Sequence, residues 1–119
     1  MTFDTVRKLA AALPDVEEGT SWGVPSIKLR GRLLACIASN SAAEPNTLVV
    51  RLDAAQRDAM IEDDPDVYYL KPHYVNYPCV LARLARIRRD ALKDLLHAGW
   101  RYVDARTPKR AQRRPATRP

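Results

Sequence analysis

The chain has 119 residues, 46% of them apolar, with two cysteines and a formal charge of +6. That allows one domain with a modest core, makes a disulfide framework untenable, and leaves no run near the roughly 18 apolar residues of a membrane-spanning helix. The charge belongs to one end: residues 106–119 hold Arg106, Lys109, Arg110, Arg113, Arg114 and Arg118 and no acid, so residues 1–105 balance fourteen cations against fourteen acids.

Within that neutral part, residues 1–66 carry a net −4 and residues 67–105 a net +4. The N-terminal stretch MTFDTVRKLAAALPDVEE has an acid at Asp4 and no small-residue cleavage pattern. No signal peptide is read there, and a cytoplasmic location is expected.

Thr2 is placed to cap a first helix, in which Phe3, Val6, Leu9, Ala10 and Leu13 recur on one face. Pro14 stops it, because the residue before a proline is pushed out of the helical region. DVEEG reads as an acidic link. From Trp22 to Arg30, Ile27 and Leu29 alternate with Ser26, Lys28 and Arg30, as in a strand. Gly31 supplies the positive φ of a tight hairpin, and LLACIAS resumes extended structure. NSAAEPN is a loop and TLVVRL a third strand.

Asp53 followed by Gln56 resembles a capping box, so a short helix is expected over AAQRDAMIEDD, with Ala55, Ala59, Met60 and Ile61 inward. VYYLK and CVLARLA form a second strand pair around PHYVNYP. Tyr68 and Tyr69 fall on opposite faces, which puts one in the core and leaves the other exposed. Arg88 or Arg89 opens the last helix, whose stripe is Leu92, Leu95, Leu96, Gly99, Trp100 and Val103. A glycine there costs about 1 kcal/mol relative to alanine, which points to a close helix–sheet approach or, failing that, a kink.

The order α-β-β-β-α-β-β-α with short links predicts an α+β two-layer sandwich, an antiparallel sheet of about five strands with helices on one face. The domain is read as residues 1–105, followed by a basic Pro/Arg-rich tail, 106–119, that cannot build a packed core and is expected to be disordered unless bound.

No catalytic constellation emerges. Cys36 and Cys79 sit in apolar strand runs, as small buried hydrophobes do, and His73 and His97 share no ligand-like spacing with them. Neither a metal nor a cofactor is expected, and the chain reads as non-enzymatic. Two binding readings remain. In the first, cations at the hairpin tip (Lys28, Arg30, Arg32) and around the second strand pair (Lys71, Arg83, Arg86) contact phosphates, while His73, Tyr74 and Tyr77 stack or support the loop. In the second, a small-molecule or protein ligand enters a concave aromatic pocket made by Tyr68 or Tyr69, His73, Tyr77 and Trp22.

The series VRKLAAALPDVEEGTSWGVPSIKLRGRLLACIA, LVVRLDAAQRDAMIEDDPDVYYLKPHYVNYPCVLARL and LKDLLHAGWRYV resembles the MmcQ/YjbR family over about residues 5 to 104. The shared elements are the helix before LPDVEE, the W-G-x-P-S strand start, the R-G-R hairpin, the V-R-L-D step, the P-H-Y turn and the A-G-W-R-Y-V helix end. The resemblance implies a frataxin-like (CyaY-like) sandwich and DNA as partner, bound through a double wing of hairpins. It implies no catalytic residues. The first reading is therefore the expected one.

Overall fold

The computed structural model describes residues 1–39 and 43–107. It is an α+β sandwich with the element order α1 (Phe3–Ala10), β1 (Val16–Ser21), β2 (Val24–Leu29), β3 (Arg32–Ile37), β4 (Thr47–Arg51), α2 (Ala54–Asp63), β5 (Tyr68–Tyr69), a 3₁₀ turn (Pro72–Tyr74), β6 (Cys79–Arg83) and α3 (Arg89–Arg106). One antiparallel sheet takes all the strands in the order β1-β2-β3-β4-β6-β5.

The sheet has six strands where about five are expected. The extra one is β1, the segment read as an acidic link; Val16 pairs with Leu29 and Ser21 with Val24. Its sequence, VEEGTS, has no apolar alternation because it is an edge strand with little to bury, and its glutamates guard the edge against further pairing.

Two-residue turns join β1 to β2 and β2 to β3. Trp22 and Gly23 have φ of 51° and 78°, Arg30 and Gly31 have 46° and 85°, so both are type I′ turns matched to the strand twist. β2 and β3 slip register at Ile27/Lys28, and this bulge lets Leu34 and Ala35 both enter the main core.

Strand alternation divides the sheet into two faces. Ile27, Leu29, Leu48, Val50, Val80 and Ala82 lie under α1 and α3 in the main core, with Phe3, Val6, Leu92, Leu95 and Leu96 opposite. α3 carries the predicted stripe and sits very close to the sheet. A Cβ on Gly99 would stand 2.7 Å from Val50 Cγ1 and 3.0 Å from the Arg51 carbonyl oxygen, which explains the glycine. Thr2 caps α1 only through its backbone, whereas Asp53 accepts from the N–H groups of Ala55 and Gln56. In α2, Ala55 and Ala59 are exposed; Met60 and Ile61 reach the core, and Arg57 is the buried residue.

Both Tyr68 and Tyr69 are buried, not one of the two, because both faces of the sheet are covered at β5. Tyr68 joins the main core; Tyr69 belongs to a smaller cluster on the opposite face with Cys36, Val49, Tyr74, Cys79 and Leu81. Arg106, expected to open the tail, is the last residue of α3, and Thr107 is buried and donates to the Val103 carbonyl. The rest of the expected tail, 108–119, lies outside the described residues.

Candidate functional site

On the helix-free face, the segment after β5 folds back over part of the sheet and leaves a groove of about 530 Å³ beside it. Cys36, Val49 and Cys79 form its floor with Leu33 and Ala38. Trp22, His73 and Tyr77 stand around it, and Arg51 enters from β4. Trp22 is 74% exposed and Tyr77 55%, two large rings held at the surface beside an apolar floor.

Each part has a local cause. Trp22 is carried out on the β1–β2 turn in a left-handed conformation that costs a non-glycine residue about 1 kcal/mol. Pro72 starts the 3₁₀ turn, and Tyr74 donates its backbone N–H to the Lys71 carbonyl, closing the segment on itself. His73 packs edge-on against Tyr74 at 4.9 Å between centroids and lies 6.3 Å from Tyr77. From α2, Arg57 donates to the Tyr77 carbonyl at 3.3 Å, tying the end of the segment to a helix. The Tyr69 hydroxyl is engaged by Thr47 Oγ1 at 2.6 Å and the Glu44 N–H at 2.9 Å, so this ring is scaffold behind the groove.

Burial pushes the thiols of Cys36 and Cys79 up to about 11, Cys36 with a further push from Cys79 and Cys79 with an opposing pull from Arg57 and Arg51. The two lie on β3 and β6, on either side of β4 and free of disulfide, opposite Val49 and Arg51 respectively. They are poor nucleophiles. At pH 8 a rise of two units from 9 leaves about 100-fold less thiolate, so iodoacetamide labelling followed by mass should run about 100-fold slower than on an open cysteine. Rates within tenfold of an open cysteine would mean an unprotected floor. The sign follows for stability as well: the protonated thiols contribute below about pH 9, and this is lost as pH rises toward 11.

The cations expected to meet phosphate fall into two groups: Lys71, Arg83 and Arg86 gather around Glu44, and the hairpin tip of Arg30 and Arg32 lies apart from them. Arg30 turns back toward the helices, donating to Asp15 at 2.8 Å, to Asp104 at 2.6 Å and to the Thr107 carbonyl at 3.2 Å. Arg83 is bidentate on Glu44 at 2.9 and 2.7 Å, lies 4.2 Å over the Tyr69 ring and reaches the carbonyls of Pro65 and Asp66. That bond holds the Glu44 carboxyl below its ordinary range, so the pair survives mild acid. Both side chains are committed to carboxylates rather than presented to a polyanion. Tyr74 is buried and supports the segment rather than offering a stacking face.

Lys28 is half-buried with its stem over Gly19, and Lys71 Nζ lies 5.8 Å from the Tyr69 ring. Arg32 and Arg86 are exposed. Register sets them apart: the Arg30–Arg32 tip is at the Arg51 end of the strands and Arg83 at the Thr47 end. About six residues along the strands and, from Arg30 at the end of β2, three strand spacings separate these corners, about 20 Å by 14 Å.

Sequence reasoning placed Tyr68 or Tyr69, His73, Tyr77 and Trp22 in an aromatic pocket; the structure brings Trp22, His73 and Tyr77 together, while Tyr68 and Tyr69 are buried away from the groove lining. That reasoning missed Arg57, absent from the inward set expected of α2, and gave no role in the pocket to Arg51 or to the cysteines, which read as buried hydrophobes. The available signal was the period-two alternation that puts Cys36, Val49, Arg51 and Cys79 on one face. Among the described residues, no three His, Cys, Asp or Glu side chains are grouped to hold a metal, and no helix is long and apolar enough to cross a membrane.

A family model described as YjbR matches residues 11–102. The chain belongs to the YjbR family. Similar proteins include the uncharacterized protein Rv2570 of Mycobacterium tuberculosis and the uncharacterized protein Mb2600 of Mycobacterium bovis, each 29% identical over 110 residues, covering 83% of this chain and 85% of theirs. The crystal structure of Deinococcus radiodurans protein DR2400, with a DUF419 domain, matches with a TM-score of 0.74 at 18% identity, over 99% of this chain and 89% of that one. At that identity the match speaks to the YjbR fold alone.

Proposed function

We propose that this YjbR protein is a non-enzymatic binding module whose site is the groove on the helix-free face of the sheet. The observation that carries the reading is the apolar floor of Cys36, Val49 and Cys79 ringed by exposed Trp22 and Tyr77. A cavity of this size suits a small molecule, and an apolar floor with a few polar groups is the usual composition of such sites. DNA binding through two wings is the weaker reading, because Arg30 and Arg83 are neutralised by Asp15, Asp104 and Glu44 and stand at separate corners.

Amide chemical-shift mapping of the full chain tests both readings with the same spectra. Titration with a neutral aromatic probe, 2-naphthamide, is expected to move Trp22, Cys36, Tyr77 and Cys79 together. Shifts confined to the α1/α3 side, or none at millimolar probe, would defeat the groove reading. Shifts at Arg32, Lys71 and Arg86 with duplex DNA at low salt, fading as salt rises, would restore the polyanion reading.

A further inference from the structure

Arginines inside this fold are almost all neutralised. Arg7 pairs with Asp4 and Glu18, Arg30 with Asp15 and Asp104, Arg57 with Asp58, and Arg83 with Glu44. Arg51 is the exception. It is half-buried at the end of the central strand β4, pairs with no carboxylate among the described residues, and its Nε is buried with no hydrogen-bond partner. A guanidinium drawn partly out of water without a counter-charge is unfavourable, and a buried N–H without an acceptor costs more still.

At the end of β4 the Arg51 side chain also meets the C-terminal part of α3. The Arg51 guanidinium carbon lies 5.6 Å from the Tyr102 ring centroid, and that of Arg106 lies 3.7 Å from the same centroid. Arg57 comes in from α2 to the Tyr77 carbonyl at the rim. The groove thus joins an apolar floor to one cation, Arg51, that has no carboxylate partner among the described residues.

We infer, building on the groove as the binding site, that its ligand is a small aromatic or aliphatic carboxylic acid whose carboxylate is bonded by Arg51 while its apolar body covers Cys36, Val49 and Cys79 under Trp22. A planar guanidinium suits a carboxylate in two parallel hydrogen bonds. A phosphate ester fits less well, since its second charge would lie over the thiols and valine of the floor with no second cation lining the groove among the described residues. A neutral ligand would leave the Arg51 charge unanswered.

Calorimetry on the full chain compares 2-naphthoate with its neutral isostere 2-naphthamide, on wild type, Arg51→Met and Arg51→Lys. Wild type is expected to prefer the acid by about tenfold or more, the scale of one charge-assisted hydrogen bond. Arg51→Met should abolish that preference, with an unchanged urea unfolding midpoint and far-ultraviolet circular dichroism showing that the variant is folded. Arg51→Lys should keep part of the preference, by charge without the fork. Equal binding of acid and amide to wild type, or a preference that survives Arg51→Met, overturns the carboxylate and leaves the groove standing. Failure of both probes to bind wild type overturns the groove and the carboxylate together.

Discussion

Arg30→Met should lower unfolding stability by about 2 kcal/mol, read as a shift in urea midpoint at constant slope. The Arg30 side chain is 5% exposed and joins the β1–β2 side of the sheet to the end of α3 through Asp15, Asp104 and the Thr107 carbonyl. Most of the loss comes from Asp104, which is 20% exposed and would keep its charge without the partner. Asp15 is 54% exposed and well solvated, so its share is small. The guanidinium is covered by its own partners at the rim of the fold rather than deep in the core, which places the effect below the 3–5 kcal/mol of a fully buried pair. An unchanged midpoint would show that Arg30 is a surface cation after all. In that case the phosphate-binding role expected from the hairpin tip would regain its chief residue.

Trp22→Asn should act in opposite directions on folding and binding. Trp22 holds φ at 51° while most of its ring faces solvent, so the residue is strained and packs little in return. Asparagine tolerates the left-handed region, and Asn-Gly is the favoured pair for a type I′ turn. Stability is expected to rise by about 0.5–1 kcal/mol. Affinity of the groove for 2-naphthamide should fall at least tenfold, because an aromatic wall is lost from the site. A residue kept in a disfavoured conformation at no benefit to the core is the mark of a functional position. A drop in stability would refute the strain, and unchanged affinity would remove Trp22 from the site.

The faces of α1 and α3 were legible from sequence because they are amphipathic at the helical period. The α3 stripe, down to Gly99 against Val50, is an instance. In α2, by contrast, the buried residue is Arg57, and Ala55 and Ala59 are exposed. β1 was not legible, since an edge strand with Glu17 and Glu18 outward has no alternation to detect. Tyr68 and Tyr69 misled for a related reason: alternation says that neighbours point opposite ways, but not that both sides are covered there. The destination of Arg30 was hidden because its strongest partner, Asp104, is 74 residues away in sequence. For the groove, the aromatic residues in the loop and turn were visible as polar-tipped rings in odd places. The floor was not, because Cys36, Val49 and Cys79 look the same as core residues until the face bearing the helices is known.

The division of β2, β3, β4 and β6 into two rows has an evolutionary consequence. The row holding Ile27, Leu29, Leu48, Val50 and Val80 answers to the helices, while the row holding Ser26, Cys36, Val49, Arg51 and Cys79 answers to whatever lies on the other side. Drift can rewrite the second row residue by residue and leave the first alone. Descendants of one ancestor then diverge in chemical taste while their backbones stay superposable.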